Sequence, residues 1–108
     1  MQLSLDEALQ QGIAAHREGN VQEAERLYRS ILQAHPQHPD ANHNLGVLAT
    51  GVGKVEAAIP FFKAALEANP KIEQFWLSCI GALTKLNKVD EARALLGQAK
   101  SHLSLIHI

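Results

Sequence analysis

From Val21 to Leu32 the apolar residues recur at helical intervals. Val21, Ala24, Leu27, Tyr28, Ile31 and Leu32 fall on one stripe, with mostly polar residues between them. The stripe returns in Val55, Ala58, Phe61, Phe62, Ala65 and Leu66, and again in Val89, Ala92, Leu95, Leu96 and Ala99. Each recurrence lies 34 residues beyond the last, and other positions keep the same period: Gly12 with Gly46, Gly19 with Gly53 and Asn87, Pro36 with Pro70. Three periods run from about Leu5 to Ile106, which makes one domain over 1–108 with repeats of about 5–38, 39–72 and 73–106.

Each period predicts two helices. The first members, about 5–18, 39–52 and 73–86, stop at Gly19, at Gly51/Gly53 and at Asn87, residues suited to a left-handed turn. The second members, about 21–34, 55–68 and 89–102, end twice at a proline that cannot continue a helix. Ser4 with Glu7, and Asn20 with Glu23, have capping-box spacing. No stretch sustains strand alternation, so the chain is predicted to be all-α.

Composition narrows the function more than the fold. Ten basic residues nearly cancel eleven acidic ones, leaving a net charge of −1, so the basic surplus of a nucleic-acid binder is missing. One cysteine excludes an internal disulfide framework and a multi-cysteine zinc site. No apolar run approaches the ~20 residues of a membrane span. Met1 to Gln10 carries no basic cluster with a following apolar core. A cytoplasmic chain without a membrane partner is expected.

The pattern resembles the tetratricopeptide repeat. That family has a 34-residue period, a small residue where paired helices touch, an early alanine and then an aromatic in the second helix, and a closing proline. Here those are Gly12, Ala24, Tyr28 and Pro36, then Gly46, Ala58, Phe62 and Pro70; the third period has Trp76, Ala92 and Leu96. The resemblance implies an α-solenoid of three antiparallel helix pairs. Small residues at the crossing allow close pairing, and the large residue fills the gap to the next pair. Three departures stand out. Ile80 replaces the crossing glycine, with Gly81 beside it expected to compensate. Pro60 lies inside a second helix, where a local kink is expected. Ser104 replaces the closing proline, so the last helix is expected to run past residue 102.

The candidate chemistry is sparse. His35, His38 and His43 cluster about the first inter-repeat turn, but no cysteine joins them and a solvated polar turn accounts for them. Cys79 falls in a helix interior, where a packed thiol is expected rather than a nucleophile. No phosphate-binding loop, dinucleotide fingerprint or nucleophile elbow occurs. No catalysis, metal or cofactor is expected of this chain.

In the tetratricopeptide family the first helices line a concave groove that receives peptides or partner helices. Its columns here are Leu9, Gln10, Ile13, His16 and Arg17; His43, Asn44, Val47, Thr50 and Gly51; and Leu77, Ser78, Gly81, Thr84 and Lys85. Apolar contact is expected from Leu9, Ile13, Val47 and Leu77. Hydrogen bonds are expected from Gln10, Asn44, Ser78 and the threonines, with Asn44 the main anchor, and Arg17 and Lys85 place cations toward one end. A carboxylate clamp is disfavoured, because Leu9 and Leu77 stand where such a clamp needs charge or amide. "NHNLGVLA" is closer to the arrays beside glycosyltransferase domains, whose groove asparagines hold peptide backbone, although Gln10 and Ser78 replace two of them.

The expected function is therefore a non-catalytic interaction scaffold for a protein or peptide partner. The alternative is an accessory recognition region of a larger glycosyltransferase- or sulfotransferase-type enzyme. A self-association surface is also expected on the last helix. Leu95, Leu96, Ala99, Leu103 and Ile106 read as an apolar face with nothing after it to cover it, and a homodimer would bury it.

Overall fold

In the computed structural model, which describes residues 3–103, six helices follow one another: α1 (Leu5–Arg17), α2 (Val21–Ala34), α3 (Pro39–Gly51), α4 (Val55–Ala68), α5 (Glu73–Lys85) and α6 (Val89–Leu103). They form three hairpins stacked as an α-solenoid measuring 47 × 27 × 22 Å. No helix among the described residues is long and apolar enough to cross a membrane.

The local signals explain the boundaries. Ser4 Oγ accepts from the Glu7 amide at 3.1 Å, and the Glu7 carboxylate accepts from the Ser4 amide at 2.9 Å. The second expected box is only half made. Asn20 accepts from the Glu23 amide at 3.3 Å, but the Glu23 carboxylate turns to Arg26, at 2.7 and 2.8 Å. An ionised guanidinium is the stronger donor, so it wins that carboxylate. Gly19 (φ 83°), Gly53 (φ 85°) and Asn87 (φ 60°) take the left-handed conformation after the first helix of each pair. Each is followed by an amide bonded back across the turn: Asn20 to Ala15, Lys54 to Ala49 and Lys88 to Leu83, at 2.8, 2.8 and 2.9 Å.

The core lies between the layers in two clusters. One joins α1, α2 and α3 around Leu27, Tyr28, Ile31 and Leu45; the other joins α4, α5 and α6 around Phe62, Phe75, Trp76 and Leu83. Asn42, the one buried polar residue among those described, donates its amide to the carbonyls of Pro36 (3.1 Å) and His38 (3.0 Å). One period later Trp76 donates its indole N–H to Pro70 at 2.8 Å. Two different side chains thus lock the same turn.

At the first two crossings glycine is a steric requirement. A Cβ on Gly12 would meet the Tyr28 ring at 2.6 Å, and one on Gly46 would meet the Phe62 ring at 2.4 Å. The third crossing differs. Ile80 packs against the second core, and Leu96, in the aromatic column, is left 41% exposed. Gly81 does not compensate as expected: a Cβ there would meet nothing within 4 Å, because it faces the first-helix surface. Pro60 does not interrupt α4; it is exposed.

Candidate functional site

The first-helix face carries two depressions, one on each side of α3, and a side-chain latch from α3 to α5. The first, about 430 Å3, lies between α1 and α3 and is lined by Ile13, His16, Arg17 and Asn44, with Tyr28 at its floor. The second, about 390 Å3, lies between α3 and α5 and is lined by Val47, Thr50, Gly51, Leu77, Ser78, Gly81 and Lys85, with Phe62 below. Tyr28 and Phe62 belong to second helices. Their rings reach the opposite face because Gly12 and Gly46 leave no Cβ in the way. The spacing predicts these rings as filling between helix pairs; the Gly12–Tyr28 and Gly46–Phe62 pairing is what also sets them beneath the two depressions.

The latch is His43. Its Nε2 lies 2.8 Å from Ser78 Oγ, and its ring tilts against Phe75 at 4.9 Å and Phe62 at 5.6 Å. Ser78 Oγ also accepts from the Gln74 side-chain Nε2 at 3.2 Å. Burial pushes the His43 imidazole below its ordinary pKa, with Asn44 and the Asp40 carboxylate opposing. The unfolded chain therefore takes up this proton before the folded one does. The stability at stake is fully present above the ordinary histidine pKa of ~6.5 and is lost as pH falls through the lowered folded value. Urea unfolding at about pH 7.5 and about pH 5 is expected to show this loss, with a shallower pH dependence in His43→Gln. An identical dependence in that variant would mean His43 is not the group that titrates.

Other side chains fall differently from expectation. Leu9 is 8% exposed in the first core cluster, so the α1 contribution begins at Ile13. Gln10 and Thr84 are exposed but line neither depression. Thr50 and Thr84 donate their hydroxyls to the carbonyls of Gly46 (2.9 Å) and Ile80 (2.8 Å), which leaves a partner only their acceptor lone pairs. Asn44 sits beside the Tyr28 phenol, whose pKa burial raises and Asn44 draws back. Leu77, 53% exposed, and Val47, 37% exposed, give the second depression apolar walls in contact with water. Arg17 and Lys85 end their helices on the same side.

The remaining candidates resolve into packing and capping. His38 Nδ1 accepts from the Ala41 amide at 3.1 Å and caps α3, with His35 edge-on to it at 5.7 Å, while His43 is occupied at the latch. Among the described residues, no three His, Cys, Asp or Glu side chains gather as a metal set. Cys79 is fully buried, and burial pushes its thiol pKa up, with Lys63 opposing. The expected face of α6 is also corrected. Ala99 is buried, while Leu95 and Leu103 pack half-buried on the second core, because this side of α6 is the one that meets α5. Val89 and Leu96 remain exposed; Ile106 lies outside the described residues.

The tetratricopeptide repeat family model matches residues 9–71, and a second tetratricopeptide repeat model matches residues 49–102. Solved structures share the fold at low identity. A crystal structure of MamA superposes with a TM-score of 0.83 at 19% identity, over 92% of this chain and 54% of that one. SycD, a type III secretion translocator chaperone of Yersinia enterocolitica, gives 0.82 at 15% identity, over 93% and 76%. The second TPR of Spaghetti (RPAP3), bound to an HSP90 peptide, gives 0.79 at 19% identity, over 94% and 90%. This chain spans 53–58% of the length of most of the MamA chains it matches and 72% of one.

Proposed function

We propose that this chain, which belongs to the tetratricopeptide repeat family, is a non-catalytic scaffold that binds an extended segment of another protein across its first-helix face. The observation that carries this reading is the pair of depressions with aromatic floors on one face, one on each side of α3. An extended segment crossing that face would place one side chain against Tyr28 and another against Phe62. The second depression suits an apolar side chain, since Val47 and Leu77 stand in water with no described neighbour covering them. Asn44, in the wall of the first depression, can donate and accept toward peptide backbone. The peptide carried by the RPAP3 relative and the chaperone role of SycD support a protein ligand as the class.

The test is affinity selection of displayed peptides on the wild-type protein, followed by calorimetry with variants. Leu77→Asp is expected to keep the melting point close to wild type, because the side chain is mostly exposed, while weakening a selected peptide at least about tenfold. Asn44→Ala is expected to cost that peptide ~1–2 kcal/mol. Peptides that bind both variants as tightly as wild type would remove the groove from the account.

A further inference from the structure

A third concavity, about 490 Å3, opens on the side of the second helices, between α4 and α6 and away from the groove. Leu66, Trp76 and Leu95 make it apolar; Lys63, Glu67 and His102 stand around it. The repeat itself explains the opening. One period earlier, the columns of Lys63 and Leu95 hold Arg29 and Phe61. There the Arg29 guanidinium lies 5.8 Å over the Phe61 ring, and Phe61 packs half-buried against the first core. At the later junction a leucine replaces the ring, and the cation remains without one. His102, stacked on Trp76 at 5.3 Å with its carbonyl held by Lys71 Nζ at 3.2 Å, closes the far end.

We propose that the α4–α6 cleft is a docking site for an aromatic side chain of a different protein, seated under Lys63 as Phe61 sits under Arg29. The ring would lie on Leu66, Trp76 and Leu95, with the ammonium of Lys63 over its face. A second copy of this chain does not supply the ring. Tyr28, Phe62, Phe75 and Trp76 are 1–4% exposed, and Phe61 is already covered by Arg29. Charge selects the neighbours of that ring. Lys63 lines the cleft with no ion pair among the described residues, and Lys71 reaches the His102 carbonyl at its far end, so an acidic residue beside the aromatic complements these cations. This surface is separate from the first-helix groove, so either can fail without the other.

The experiment is a proton–nitrogen correlation titration with a blocked tripeptide of aspartate, phenylalanine and glutamate, beside the same peptide with alanine at its centre. Trp76 is the chain's one tryptophan, so its indole N–H gives one resolved signal at the cleft wall. The phenylalanine peptide is expected to shift that signal and the Lys63 and Leu95 amides saturably, and the alanine peptide to leave them unmoved. Leu95→Phe, which restores the ring in the chain itself, is expected to melt no lower than wild type and to bind at least about tenfold more weakly. Lys63→Glu, at an exposed position, is expected to weaken binding to the same degree, and it decides the matter should Leu95→Phe fail to fold. An unmoved Trp76 indole at millimolar peptide, equal shifts from the alanine peptide, or undiminished affinity in a folded Leu95→Phe would each overturn the proposal.

Discussion

Trp76→Ala is expected to remove ~3–5 kcal/mol of stability, the usual range for emptying a buried tryptophan site. The indole is 3% exposed, ties the Pro70 carbonyl at 2.8 Å and stacks against His102 of α6. It therefore holds the turn into the third repeat and the last helix at once. Three repeats offer few neighbour contacts to share such a loss, so α5 and α6 should unfold together. Trp76→Phe separates the two parts of the effect. It keeps most of the packing, leaves the carbonyl unpaired, and should cost ~1–2 kcal/mol. Urea unfolding followed by circular dichroism measures both; a cost below ~1 kcal/mol for Trp76→Ala would show that the indole does not hold the repeat.

Gly46→Ala is expected to destabilise, although alanine is ordinarily the better helix former by ~0.5–1 kcal/mol. The new Cβ would lie 2.4, 2.6 and 2.9 Å from three atoms of the Phe62 ring, and that ring is 2% exposed within the second core. Overpacking of this kind costs ~1–3 kcal/mol and outweighs the propensity gain. Gly97→Ala supplies the opposite sign. It lies within α6, and a Cβ there would meet nothing within 4 Å, so this substitution should stabilise by ~0.5–1 kcal/mol. Trimming the ring in a Gly46→Ala, Phe62→Leu double variant should recover part of the first loss, a non-additivity expected only if the two groups touch. Thermal melts of wild type, Gly46→Ala, Phe62→Leu, their double variant and Gly97→Ala test the crossing; a Gly46→Ala variant more stable than wild type would contradict it.

The helices and their period were legible because their signals are local. Apolar spacing, Gly19, Gly53 and Asn87 at the left-handed turns, and the prolines after α2 and α4 act within a few residues, and each helix begins and ends within a residue or two of its expected bounds. The first-helix face was legible as a surface, and which of its side chains reach solvent was not. Leu9 shares a helical face with Ile13, but that face curves into the core, and only the packing of α1 on its neighbours decides where solvent begins. The threonine hydroxyls satisfy their own helices, a choice spacing alone does not reveal. The His43–Ser78 contact joins residues 35 apart and depends on the angle between two repeats. The apolar stripe of α6 looked unpartnered because a stripe does not state which side faces α5; Ala99 lies on the packed side.

The most direct test of the groove is an amide shift map of the wild-type protein with its tightest selected peptide. The account predicts that the largest saturable shifts fall on Asn44, Val47, Leu77 and Ser78, which line the two depressions. Shifts confined to α2, α4 and α6, with those four amides unmoved, would contradict it.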